Sequence, residues 1–341
     1  MGLGYAGKIL RVDLTTRELS VDTPSGEFYR TYMGGSALNL YYLLKEMDAT
    51  VDPLSPENIL AFSVGTLTGA RVSGQSRLTI TAKSPLTGGF ARTEAAGYFG
   101  PELKFAGFDA VVIKGKADKP VYLWIHDGEV EIRDAAAVWG LDNWETLEAI
   151  RQETGEKRVR VASIGPAGEK RVRYACVQND LEHYNGRTGM GTVMASKNLK
   201  AVAVRGTLGV GNIADPVAFM DAVNAGKQVL ADNAVTGQGL PTYGTQVLMN
   251  VINGMGAMPT RNMREVQFEG AEKISGEAMH EPRPSDGKPN LVANQACFGC
   301  TIACGRISRI DQQHYTVVNK PEYWGASGGL EYESAWSLGA A

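Results

Sequence analysis

Cysteine and histidine are scarce in this chain, with four of each in 341 residues. The histidines (His126, His183, His280 and His314) are too scattered to join the cysteines in a mixed zinc site. No block of Lys or Arg stands out and the formal net charge is -3, so a nucleic-acid-binding face is not expected. Long apolar runs are missing too. Runs such as 110–113 and 121–125 are strand-sized, against the roughly 20 residues of a membrane-spanning helix. The start, Met1-Gly2-Leu3-Gly4-Tyr5, lacks the charged-then-apolar pattern of a secretory signal. A cytoplasmic globular protein with neither a nucleic-acid nor a membrane partner is therefore expected.

Glycine is in excess: 41 residues, about 12% of the chain, against a typical share of roughly 7%. It clusters in Gly34-Gly35, 65–74, Gly88-Gly89, 97–107 and 186–191. Such groups serve either a turn-rich β domain or the close approach of backbone to a ligand.

The length suggests two domains. Residues 1–208 read as β-rich. Residues 8–14 alternate with period 2 and turn at Thr15-Thr16-Arg17 into 18–21, a hairpin pattern. Further strands are expected at 59–64, 78–82, 110–114, 121–125, 130–133, 159–164, 172–177 and 199–204. Helices are expected at 36–45, 101–106 and 143–155, the last with Asn143 as its N-cap. Strand groups alternating with single helices predict an α+β domain, rich in β-sheet and built from two related halves. After Leu208-Gly209-Val210-Gly211 the texture changes. Asp215-Pro216 opens a helix and no clear alternation follows, so 209–341 is expected to begin a mainly α-helical domain. Residues 332–338 read as a helix opening that stops in mid-element, which predicts a piece of a longer polypeptide.

Three cysteines form Cys297-Phe298-Gly299-Cys300-Thr301-Ile302-Ala303-Cys304. Thiolates at this spacing on a tight loop can reach three corners of one iron–sulfur cluster. Structural zinc would ask for two separated pairs, and disulfides are disfavoured in a cytosolic chain. Cys176, flanked by apolar residues, reads as a core thiol rather than the fourth ligand.

Residues 180–191 form a Gly-rich turn before a helix start, where several N–H groups could face one anion and Arg187 could clamp it. The pattern is no dinucleotide fingerprint, since Gly189-x-Gly191 is followed at the third position by Met194; nor is it a P-loop. Gly74-Gln75-Ser76-Arg77 before a strand and Glu94-Ala95-Ala96-Gly97-Tyr98-Phe99-Gly100 before a helix share the style, although Arg77 alone would read as a surface charge. Together with the cysteine loop they ask for a cofactor that is large, polyanionic and redox-active.

Several segments carry a resemblance: Leu44-Lys45-Glu46-Met47-Asp48 through Asn58, Lys83-Ser84-Pro85-Leu86-Thr87-Gly88, 97–107, 162–169, 196–201, the cysteine run, and Glu331-Tyr332-Glu333-Ser334. On these the chain resembles the tungsten-containing aldehyde ferredoxin oxidoreductase family over its whole length. The resemblance implies a tungsten centre, or alternatively molybdenum, held by the dithiolenes of two pterins. It implies that Arg77, Gly97, Gly186 and Arg187 contact the pterin phosphates, with backbone at Ala95, Ala96, Tyr184 and Asn185 lining the same site. A magnesium bridging those phosphates would take the carbonyls of Glu94 and Tyr184, and a [4Fe-4S] cluster would sit on Cys297, Cys300 and Cys304. Glu333 matches the active-site glutamate, the acid/base residue of aldehyde oxidation, with Glu331 as an alternative and a helix-start glutamate as the plainer reading. Electrons would leave singly through the cluster to ferredoxin or to an Fe-S or flavin partner subunit, in a homo- or hetero-oligomer. The archaeal-type pattern has Asn at Glu94, Gly at Ala96 and Arg-Ala at His183-Tyr184, changes that carbonyl coordination tolerates. A benzoyl-CoA reductase-like catalytic subunit and a non-catalytic Fe-S carrier are the competing readings.

Overall fold

The computed structural model describes residues 3–284, 286–309 and 323–326. The chain divides into two compact units, Met1–Phe219 and Met220–Ala341.

In the first unit one connectivity is used twice. The first sheet contains β1 (Ile9–Asp13), β2 (Glu18–Asp22), β3 (Leu60–Val64), β4 (Leu78–Lys83), β5 (Phe90–Ala95) and β6 (Ala110–Lys114), in the order β2-β1-β6-β3-β4-β5. The second contains β7 (Val121–His126), β8 (Glu129–Asp134), β9 (Arg160–Ser163), β10 (Val177–Asn179), β11 (His183–Asn185) and β12 (Leu199–Arg205). Its order is β8-β7-β12-β9-β10-β11, each strand six places on from its counterpart. In both sheets the first two strands make an antiparallel hairpin, the first and last pair in parallel, and the other three continue antiparallel from the last.

Helices fill matching places. Helices α1 (Gly26–Tyr32) and α2 (Gly35–Glu46) precede β3, as α4 (Asn143–Thr154) precedes β9. Helix α3 (Phe99–Phe105) precedes β6, as α6 (Met190–Ser196) precedes β12. The four-residue α5 (Pro166–Glu169), before β10, has no counterpart.

The alternation of β6 and β12 explains the layering. Val111, Ile113, Val202 and Val204 enter one shared core with Phe99, Leu103, Met190 and Val193 from α3 and α6. Ala110 and Val112 face Tyr29, Leu38 and Leu43 on one outer side, while Ala201 and Ala203 face Trp124, Leu147 and Ile150 on the other. Both faces of each sheet are thus apolar, and each fully buried Val or Leu stabilises the unit by about 1.5–3 kcal/mol.

Local details depart from the sequence reading. The strand expected at 172–177 survives only from Val177. Ala175 N–H turns back to Val172 O (2.9 Å) and its carbonyl is taken by Gly191 N–H (2.9 Å), so the segment closes into a turn. Asp142, not Asn143, caps α4. Its carboxylate accepts from Glu145 N–H (2.9 Å) and the Glu145 side chain accepts from Asp142 N–H (3.0 Å), a reciprocal capping box. Asn143 instead donates to Ser163 Oγ (2.8 Å). The segment after β12 stays with the first unit, because Gly4 N–H donates to Asn212 O (2.8 Å).

The second unit holds most of α7 (Pro216–Asp232), several short helical turns, and an antiparallel sheet of β13 (Leu291–Gln295), β14 (Gly305–Arg309) and β15 (Tyr323–Ala326). Met249, Met258, Phe268 and Ala271 form a small core there. The sheet is absent from the sequence reading because β13 and β14 carry few apolar residues in alternation.

Candidate cofactor site and cysteine loop

Strands β5 and β11 are the edge strands of their sheets, and they meet. Asn185, fully buried, stitches the seam. Its Nδ2 donates to Thr93 O (3.0 Å) while its Oδ1 accepts from Asn179 Nδ2 (2.8 Å). Arg187 N–H donates to Thr93 Oγ1 (3.3 Å) and Ser84 Oγ to Thr188 O (2.8 Å). Apart from the Asn179–Asn185 bond, each link joins residues about a hundred positions apart, one from each half.

An open cavity of about 460 Å³ lies on this seam, lined by Arg92, Thr93, Glu94, Tyr184, Gly186 and Arg187. Four of the expected residues, Glu94, Tyr184, Gly186 and Arg187, are therefore brought together. Arg92 and Thr93 were missed, because their strand was. Arg92 Nε donates to Glu94 Oε1 (3.0 Å). Among the described residues Arg187 has no carboxylate partner, and a Cβ placed on Gly186 would meet nothing nearer than Tyr184 Cβ at 3.8 Å.

A second group adjoins the ends of β4 and β5. Ala95 is buried opposite Leu78, and Ala96 leads into buried Gly97, whose φ is +98°. A Cβ on Gly97 would lie 3.0 Å from His183 Nδ1. Burial, and then the exposed Arg77 guanidinium, push the His183 pKa down to about 4. His183 is neutral near pH 7, so the approach of Glu182 to its ring (4.0 Å) is not an ion pair there. Arg77, Gly97 and His183 are thus neighbours.

Helices α3 and α6 have seven residues each and neither has a side-chain N-cap bond. Helix ends this short concentrate little charge. Attraction for an anion falls mainly to Arg77 and Arg187, the latter beside the open, exposed backbone of Gly186. This donor set fits a phosphate-bearing group.

In the second unit the cysteines sit on the β13–β14 connection, closed by the pair Gln295↔Gly305. Cys300 N–H donates to Cys297 O (3.1 Å), and Gly299 and Ala303 both take positive φ, which turns the chain back twice. All three cysteines are partly exposed. Among the described residues no three His, Cys, Asp or Glu side chains are placed to hold a single metal ion. Cys176 lies half-buried in the first unit. Glu331 and Glu333 lie outside the described residues. Among those residues no helix is long and apolar enough to cross a membrane.

Comparison with known proteins follows the same division. A family model described as aldehyde ferredoxin oxidoreductase, N-terminal domain, matches residues 9–206, and one for domains 2 and 3 matches 221–341. The tungsten-containing aldehyde ferredoxin oxidoreductase of Pyrococcus abyssi is 48% identical over 337 residues, covering 99% of this chain and 52% of that protein. The WOR-like subunit of an aliphatic sulfonate oxidoreductase from Pyrococcus furiosus is 38% identical over 218 residues, 60% of this chain and 35% of the relative. The solved active site complex BamBC of benzoyl coenzyme A reductase, bound to 1,5-dienoyl-CoA, superposes with a TM-score of 0.79 at 29% identity, covering 92% of this chain and 48% of that one. The chain spans about half the length of the aldehyde oxidoreductases it matches.

Proposed function

The chain belongs to the aldehyde ferredoxin oxidoreductase family, and from that premise we propose that it is the cofactor-cradling part of an enzyme oxidising aldehydes to carboxylic acids. The observation that carries the proposal is the β5–β11 seam, where Glu94, Tyr184, Gly186 and Arg187 line one cavity. When bound there, a tungsten-bispterin group (or its molybdenum equivalent) supplies the two-electron chemistry that side chains lack.

The residues have separate tasks in this proposal. Arg77 and Arg187 bind pterin phosphates, while Gly97 and Gly186 let the backbone come close. Ala95, Ala96 and Asn185 line the cradle, and the Glu94 and Tyr184 carbonyls hold a bridging magnesium. Cys297, Cys300 and Cys304 would hold a [4Fe-4S] cluster, which would supply one-electron chemistry toward ferredoxin or an Fe-S or flavin partner subunit. Glu333 takes a proton from the water that adds to the aldehyde. Residues 1–208 form the cofactor domain, and 209–341 begin a mainly helical domain that carries the cysteine loop. A cytoplasmic homo- or hetero-oligomer is part of the same proposal.

Anaerobically purified full-length protein tests it. Stoichiometric tungsten or molybdenum, iron, and viologen reduction driven by acetaldehyde or benzaldehyde are expected. Arg187→Ala should lose the pterin metal and keep the iron. Iron without either metal would sink the enzyme in favour of an electron carrier. The likeness to BamBC favours a second reading, a reductase of aromatic thioesters. That reading gains if an aromatic thioester couple, and no aldehyde, exchanges electrons with the dye.

A further inference from the structure

Arg306 lies in β14, two residues after Cys304, and its side chain is fully buried. Its Nη1 donates to Ala303 O (3.0 Å) and Gly305 O (2.8 Å), and its Nη2 to Leu240 O and Pro241 O (2.9 Å each). A guanidinium has five N–H donors. The fifth, on Nε, is buried and finds no acceptor among the described residues. None of their carboxylates pairs with this cation.

Gly244, at φ +67°, makes room for it. A Cβ there would lie 3.2 Å from Arg306 Nε and 2.8 Å from Cys304 O. The guanidinium is therefore packed beside the backbone of the cysteine loop and locked by carbonyls on two sides. Arginine stays charged at any ordinary pH, and burying a charge without an opposite one is costly. Carbonyl dipoles offset part of that cost. Cluster thiolates would offset more.

We propose that Arg306 is a positioning residue for electron transfer, whose fixed buried charge raises the reduction potential of a [4Fe-4S] cluster held on Cys297, Cys300 and Cys304. The inference rests on the cluster reading above. Reduction adds one electron to the cluster and breaks no bond. A nearby cation stabilises the more negative, reduced form, and cluster potentials follow local charge and hydrogen bonding to sulfur. A residue that only clamped four carbonyls would need the donors of Arg306 but not its charge.

Full-length protein, purified anaerobically, is compared as parent, Arg306→Lys and Arg306→Gln, by iron and sulfide content and by a redox titration followed by electron paramagnetic resonance. Arg306→Gln should retain iron with its midpoint shifted downward, and Arg306→Lys should stay near the parent. If Gln loses its iron while Lys keeps it at the parent potential, the charge serves to retain the cluster and not to set its potential, which overturns the proposal. Equal potentials in all three, equal shifts in both variants, or loss of iron in both would overturn it and leave a structural clamp. A parent without iron would instead sink the cluster reading itself.

Discussion

The two junctions that meet at the seam, β5 into α3 and β11 into α6, occupy equivalent places in one duplicated topology yet are packed differently. A side chain on Gly97 would press on the edge of the His183 ring at 3.0 Å, and one on Gly100 would lie 3.0 Å from Ser76 O. Those contacts leave a few tenths of an ångström to be found. In the second half there is nothing to find: a Cβ on Gly189 would overlap the carbonyl of Arg173, and one on Gly191 that of Cys176. Both carbonyls belong to the turn following α5, the one helix without a counterpart in the first half. The extra segment clamps the second junction, so one side of the cavity is held by backbone and the other partly by side chains.

The largest effect should come from Gly191→Ala. Backbone cannot move aside cheaply, and a loss above about 4 kcal/mol, or no soluble protein, is expected. Gly97→Ala should cost less, about 1–3 kcal/mol, from its left-handed φ and the His183 contact. Denaturation of the two variants decides the matter; equal losses would break the contrast.

His183 offers an intermediate test, because it belongs to the second half and walls the first. Its folded pKa of about 4 lies below the ordinary 6.5. Between those values the unfolded chain binds the proton and the folded one does not. Stability should therefore fall as pH drops from about 6.5 to 4, by at most on the order of 3 kcal/mol. His183→Gln should flatten that part of a stability-against-pH curve. An unchanged slope would mean that the ring is hydrated and charged.

The smallest effect belongs to Arg92→Ala. Its pair with Glu94 is exposed, with Arg92 57% accessible, so chemical denaturation should shift by less than about 1 kcal/mol. A loss matching that of Gly97→Ala would show the seam to be held by charge rather than by packing.

How much could be read from the chain depended on where each segment's apolar residues fall. Strand β6 (Ala110-Val111-Val112-Ile113-Lys114) was legible because it buries both faces. Strand β5 (Phe90-Ala91-Arg92-Thr93-Glu94-Ala95) was not: Phe90 is 46% exposed and the polar residues Arg92, Thr93 and Glu94 run together without alternation, so only its six-residue register with β4 makes it a strand. The glycine pattern pointed to 180–191 with Arg187, and in the same style to 74–77 and 94–100, whereas the contacts of individual residues were reached through family likeness, since Arg77 alone looks like any surface arginine.

By itself the sequence determined the alternating strands, the glycine clusters and the spacing of Cys297, Cys300 and Cys304, because each is a local property of a few successive residues. Tertiary structure alone decided that Thr93 and Asn185 share a seam, that His183 stays neutral, and that Arg306 is buried. Those outcomes depend on partners such as Leu240, sixty-six positions before Arg306. Burial and hydrogen bonding act through space, and a one-dimensional pattern does not carry distances between residues so far apart along the chain.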